Sequence, residues 1–263
     1  MRLTHGRAFR VVKLSGPDWT RDAKQGAAVI VLHGTEPAFG VPQASPFAMK
    51  VEVLLKLSGL AYTVVPADIR AAPRGKIPWI VDDGAVISDS RMIQTYLEQR
   101  YGVDFSGGYS ARALGHGLAI ARMLEDHLYP LIMAQRWDWG AAEALAPQLG
   151  LGQAPLFGGM WLRLQAARRA RGLRRLQGLD RLTAAEQLAL VSRAVEALEA
   201  AIAGQIYLLG GRVCGVDATA YGFLAALAAP QIGGDAAGVL RRCPELLAYL
   251  ARMQAEFYPD FVA

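Results

Sequence analysis

The order of secondary-structure signals constrains the fold of this chain more than any single motif does. Up to about residue 105, β-like runs alternate with helical ones: "AAVIVLHG" at 27–34, a helix at 45–58, "YTVVPA" at 62–67, "IPWIVDD" at 77–83, "AVIS" at 85–88 and a helix at 89–101. Beyond the "FSGGYS" linker at 105–110 every periodic segment reads as helical, with runs at 111–137, 160–176, 183–203, 215–229 and 244–257. A β-α-β unit followed by β-β-α requires a sheet with helices packed on it, and the helices that follow need a layer of their own. The expected organisation is an N-terminal extension at 1–27, a small α/β domain at 28–104 and an all-helical domain at 107–263. With 263 residues, 53% apolar and 19% charged, the chain can bury one large core or two moderate ones.

Local signals sharpen this outline. In the first helix Phe47, Val51, Leu54 and Leu55 recur on one face, Lys50 and Lys56 fall away from it, and Gly59 ends it. Asp83-Gly84 between two β-like runs is a hairpin signal. Pro130 is expected to kink its helix, and Thr183 with Glu186 forms a capping box.

Composition excludes several function classes. The apolar run "ATAYGFLAALAAP" at 218–230 falls short of the roughly 20 residues that a membrane span needs. Two cysteines, Cys214 and Cys243, are too few for a disulfide scaffold and fit a reducing compartment, so a cytoplasmic location is expected. The first residues carry Arg2, Arg7, Arg10 and Lys13 without a secretory apolar stretch and read as a disordered basic leader. The arginine-rich segment "RLQAARRARGLRRLQGLDR" lacks interleaved aromatics and reads as a solvated surface rather than a nucleic-acid site. Four histidines and two cysteines are scattered without metal-ligand spacing, so no metal is expected.

Three stretches carry candidate chemistry. In "ASPFAMKVEVLL", Ser45 and Pro46 open a helix, and Ser45 either caps it or holds a reacting group at its N-terminus. In "GKIPWI", Pro78 starts a β-run and cannot donate to a ladder. It either marks an edge or turns the chain by a cis bond, leaving backbone groups of Ile77 free for a peptide ligand. In "SDSRMI", Asp89 and Ser90 stand at a helix N-terminus, where they either cap it or offer unpaired N–H groups to a carboxylate. His33, at the end of the first β-run, also faces this region and reads as structural.

Together, "SPFAMK", "GKIPWI", the "DDG" hairpin, "SDSRMI" and the trailing helices resemble the glutathione transferase superfamily. That resemblance implies a thioredoxin-like α/β N-terminal domain joined to an all-α C-terminal domain. The stretches "PAFGVPQASPFAMKVEVLLKLSGLAY", "APRGKIPWIVDDGAVISDSRMIQTYLEQRYGVD", "RMLEDHLYPLIMAQRW" and "CGVDATAYGFLAALAAP" are closer still to the Fax-like (failed axon connections) and metaxin-related branch. The resemblance implies that Ile77 precedes a cis Pro78 and pairs with the cysteinyl part of glutathione, with Lys76 beside it. It implies that Asp89 and Ser90 hold the γ-glutamyl end and that Ser45 stabilises the thiolate. Serine cannot form a mixed disulfide and Ala48 removes the second thiol of a CxxC, so thiol exchange is disfavoured. The position of Cys214 and Asp217 is that of the superfamily's capping box, which gives Asp217 a folding role although a thiol accepts hydrogen bonds poorly. His127, Tyr129, Arg136 and Trp137 border the second-substrate side or pack in the core. The implied activity is transfer of the glutathione thiolate to an apolar electrophile, in a role allied to detoxification, with glutathione as co-substrate and a homodimer as an open alternative. The other reading is a non-catalytic adaptor that retains the fold.

Overall fold

The computed structural model describes residues 10–11, 29–69, 71–138, 168, 172, 175–229 and 234–261. Its first part is a five-stranded mixed sheet. The strands are β1 (Arg10–Val11), β2 (Ile30–Gly34), β3 (Tyr62–Pro66), β4 (Trp79–Asp82) and β5 (Ala85–Ser88), in the order β1-β3-β2-β4-β5. β2 and β3 run parallel, joined by helix α1 (Pro46–Ser58), whereas β4 is antiparallel to β2 and to β5. Asp83 and Gly84 turn the β4–β5 hairpin with φ of 46° and 79°, the two positive values that a type I′ turn requires. The basic leader is not wholly without structure, because Arg10 and Val11 pair antiparallel with Val64 and Thr63 on the otherwise open edge of β3. The rest of the 1–27 extension lies outside the described residues, apart from that pair.

Helix α2 (Ser90–Tyr101) closes this part and is tied to the sheet by Tyr96 and Tyr101, whose hydroxyls donate to Asp82 Oδ2 at 2.9 and 2.6 Å. Burial, and then the Asp82 carboxylate, push the Tyr101 hydroxyl up to about 12, so it stays a donor at neutral pH. Helices then follow: α3 (Ala111–Arg122), α4 (Tyr129–Asp138), α5 (Ala184–Ile202), α6 (Gly215–Ala228), α7 (Gly234–Leu240) and α8 (Pro244–Phe257). Between α3 and α4 the chain stays helical through a π-helical segment, Met123–Leu128, in which the Tyr129 N–H donates to the Leu124 carbonyl five residues back. The wider turn stands immediately before Pro130, which has no N–H of its own to give. The sequence reading misses α7, because glycines at 233, 234 and 238 dilute its helical signal. The expected helix at 160–176 and most of the arginine-rich segment lie outside the described residues. Of that segment, Arg168, Arg175 and Arg181 are exposed.

One correction concerns α1. Lys50 does not project to solvent: it is 2% exposed, and Glu52 beside it is 5% exposed. The helix is buried through its middle, from Ala48 to Leu55, because α6 covers the face that the sheet leaves open. Gly222 of α6 makes this possible, since a Cβ there would collide with the Pro46 carbonyl oxygen and approach the Lys50 nitrogen to 3.2 Å. Both obstacles are backbone and cannot rotate away. Gly222→Ala is therefore expected to destabilise the fold by about 1–2 kcal/mol, overpacking outweighing the roughly 1 kcal/mol that alanine offers a helix interior. An unchanged urea midpoint would show that α1 and α6 separate at no cost.

Candidate functional site

The register of the sheet gathers the candidate residues along one edge. His33 of β2 lies opposite Trp79 of β4, and Trp79 lies opposite Ser88 of β5, so these three form a row across the sheet. Each sits next to a candidate segment. After His33 comes the 35–45 loop leading to Ser45, before Trp79 stand Ile77 and Pro78, and after Ser88 come Asp89 and Ser90. Three stretches separated by dozens of residues thus converge where the parallel strand β2 ends, the usual place for a ligand in a sheet of this kind.

Ser45 is the N-cap of α1. Its Oγ accepts the Ala48 N–H at 3.3 Å, and its own N–H donates to Thr35 Oγ1 at 3.4 Å. The cap uses a lone pair of the hydroxyl and leaves its proton available as a donor. The Ile77–Pro78 bond is cis, as the resemblance implies. Pairing of β4 begins only at Trp79, so Ile77 stands outside the ladder, half-buried, while Lys76 is exposed and Pro78 buried. Asp89 caps α2, accepting the Arg91 N–H at 2.9 Å. It does so with φ 80° and ψ 126°, a region that a residue bearing a Cβ rarely occupies. Ser90 beside it is 3% exposed.

A chain of ion pairs that the sequence reading did not find runs beneath this edge. Arg91 Nε lies 3.6 Å from Asp89 Oδ1 and 4.0 Å from Glu125 Oε2. Glu125, in the π-helical segment, also receives Lys50 Nζ at 2.6 Å and Arg122 Nη2 at 2.5 Å. Burial holds the Lys50 ammonium below its ordinary range, the Glu125 carboxylate opposes that shift, and the Arg122 and Arg91 charges add to it. The network joins α1, α2 and the helical part to the residue that caps α2. Arg122 and Glu125 are visible in sequence as a helical i,i+3 pair, but nothing local connects them to Lys50.

The remaining candidates sort by burial. His33 stacks on Trp79 at 4.4 Å between ring centroids, 10° from parallel, and burial lowers its pKa, which fits a structural imidazole. Half-buried Phe47, two residues after Ser45, meets half-buried Tyr129 edge to face at 4.9 Å, and Phe223 packs against Phe47 at 5.0 Å, giving an aromatic cluster. His127 is exposed, and the Arg136 and Trp137 side chains lie outside the described residues. Asp217 is fully buried and accepts from the Cys214 N–H at 2.9 Å, the Leu208 N–H at 3.0 Å and the Tyr249 hydroxyl at 3.2 Å. The Cys214 thiol donates to it at 3.4 Å, and burial, then the Asp217 charge, push that thiol up to about 12. Cys243 is buried too, so neither described cysteine is poised as a nucleophile. Thr183 and Glu186 form the expected reciprocal cap. Among the described residues no helix is long and apolar enough to cross a membrane, and no three His, Cys, Asp or Glu side chains gather as a metal-binding group.

Comparison with known proteins accords with this geometry. A family model described as the glutathione S-transferase N-terminal domain matches residues 46–143, and one described as the glutathione S-transferase C-terminal domain matches residues 191–253. The chain is 31% identical over 238 residues to an isoprene-epoxide glutathione S-transferase of Rhodococcus sp. (strain AD45), covering 87% of this chain and 99% of that one. It is 26% identical over 244 residues to Failed axon connections of Drosophila melanogaster, covering 84% of this chain and 56% of that protein. In fold it resembles the beta-etherase LigF from Sphingobium sp. strain SYK-6, with a TM-score of 0.60 at 19% identity over 87% of this chain and 96% of that one. With its sheet edge, its helical second part and a relation of this extent to a full-length transferase, the chain belongs to the glutathione S-transferase family.

Proposed function

We propose that this protein binds glutathione along the sheet edge and transfers its thiolate to an apolar electrophile. The observation that carries this reading is the row His33–Trp79–Ser88, which brings the Ser45 loop, the Ile77–Pro78 turn and the Asp89–Ser90 helix start together. In this reading the free backbone of Ile77 pairs with the cysteinyl residue of glutathione, and exposed Lys76 beside it offers a charge to a carboxylate. Asp89 receives the γ-glutamyl ammonium, while the N-terminus of α2 at Ser90 receives the neighbouring carboxylate.

A free thiol titrates near 8.5, roughly, so the catalytic task is to lower that value. The Ser45 hydroxyl donates to the sulfur, and the N-terminal end of the α1 dipole favours the anion. The thiol proton leaves to solvent. The sulfur lone pair then forms the S–C bond as that carbon's bond to its leaving group breaks. Phe47 and Tyr129 offer the apolar surface on which the electrophile rests. A cytoplasmic location and a homodimeric state are consistent with this reading and are part of the proposal.

The test is calorimetric titration with glutathione. Micromolar to millimolar binding by the wild type is expected, and Asp89→Asn is expected to weaken it about tenfold, about 1.4 kcal/mol, as a charge-assisted hydrogen bond is reduced to a neutral one. Absence of binding by folded wild-type protein would favour the adaptor reading. Unchanged binding by Asp89→Asn would leave that residue a helix cap only.

A further inference from the structure

A second buried polar chain, separate from the Glu125 network, runs under the Ser45 loop. Gln43 is 1% exposed; its Oε1 accepts the Thr35 N–H at 3.0 Å, and its Nε2 donates to Glu52 Oε2 at 2.5 Å. Thr35 Oγ1 in turn accepts the Ser45 N–H. Below Gln43, the Glu52 carboxylate also receives the Tyr62 hydroxyl at 3.3 Å and the Tyr258 hydroxyl at 3.2 Å, with Lys56 Nζ at 3.8 Å. Tyr258 immediately follows α8, and its ring lies under Lys56 Nζ and against Tyr221.

The loop is shaped around this amide. Gly34 leaves space that a Cβ would take from Gln43 Oε1, and Phe39 is held at φ 62° in the tight turn between Ala38 and Val41. A methionine would fill a similar volume but would leave the Thr35 N–H and the Glu52 carboxylate without this partner. What the amide adds is direction, because it fixes Thr35 from one side and is itself fixed by Glu52 from the other.

We infer that Gln43 is a positioning residue for Ser45, aligned by Glu52 and, through it, by Tyr258 at the end of the helical part. The inference rests on the proposed reading that the glutathione sulfur meets the Ser45 hydroxyl. A displacement of Ser45 would act on the thiolate more than on glutathione affinity, since Ile77 and Asp89 stand on other segments.

The experiment follows thiolate absorbance of protein-bound glutathione against pH in the full-length protein. Gln43→Met is expected to move the midpoint up by about one pH unit, a loss of thiolate at neutral pH of up to about tenfold, while glutathione affinity stays within about threefold. Glu52→Gln keeps an acceptor for the Gln43 amide and is expected to titrate close to wild type, whereas Glu52→Leu is expected to shift as Gln43→Met does. Tyr258→Phe, which removes one remote hydroxyl, is expected to shift the midpoint in the same direction by a smaller amount. It serves as the test if Gln43→Met fails to fold. A wild-type midpoint in folded Gln43→Met or, failing that variant, in Tyr258→Phe overturns the inference. If Ser45→Ala shifts the titration and Gln43→Met does not, only this inference falls. If wild type binds no glutathione, or Ser45→Ala titrates as wild type does, the proposed reading falls and takes the inference with it.

Discussion

Glu125→Ala is expected to lower the free energy of unfolding by about 3–5 kcal/mol, the cost of leaving a buried charge without its partner. Lys50 is 2% exposed and donates to Glu125 at 2.6 Å, so removing the carboxylate strands an ammonium between α1 and the helical part. Arg91 loses the same partner but is half exposed and loses less, while Arg122 is left with Asp126 at 3.5 Å. Pairing the change with Lys50→Met is expected to restore part of the loss, because no ammonium is then buried without a partner, although alanine leaves the volume of the Glu125 side chain unfilled. Urea unfolding of the two single variants and the double variant measures this as a coupling energy. Additive effects would mean that the two groups do not depend on each other, contrary to their geometry.

Ser45→Ala is expected to slow turnover at neutral pH by roughly ten- to a hundredfold, about 1.4–2.7 kcal/mol of activation free energy. Stability is also expected to fall by about 1 kcal/mol, because the hydroxyl caps α1 through the Ala48 N–H, so stability alone does not discriminate. The bound-thiol titration does discriminate, since loss of a donor to sulfur raises its midpoint and loss of a cap does not. Ser45→Cys is expected to add a chemistry that serine lacks: a thiol at this helix N-terminus would exchange with oxidised glutathione and gain a glutathione-sized mass. Identical titrations and no adduct would mean that Ser45 only caps the helix.

The legible part of this molecule was the part encoded within short windows. Strand alternation, the Asp83–Gly84 turn and the Thr183–Glu186 cap each depend on neighbours a few residues apart, whereas "GKIP" and "SDS" stayed open on local grounds and took their roles from the family resemblance. The illegible part depends on pairs that only the finished fold creates. Lys50 and Glu125 are 75 residues apart, and Glu52 and Tyr258 are 206 apart. Periodicity assigned Lys50 and Lys56 to the solvent side of α1 because a charged residue off the apolar stripe ordinarily faces water. It could not register α6 arriving from more than 150 residues away, roughly, with a glycine where the two backbones meet. The same blindness hid Gln43, which reads locally as an unremarkable polar loop residue.

The burial of α1 has a mechanical consequence. Its first turn carries Ser45, its middle is bonded to the π-helical segment through Lys50, and its last turn is bonded to the end of α8, where Lys56 donates to the Phe257 carbonyl. A hinge between sheet and helices would have to break all of these at once, together with the Gly222 contact. The helix acts as an axle seated at both ends, and these bonds resist any change in the width of the candidate edge. On the proposed reading, discrimination among electrophiles would then fall to the side chains at the rim, Phe47 and Tyr129 foremost, rather than to movement of the halves against each other.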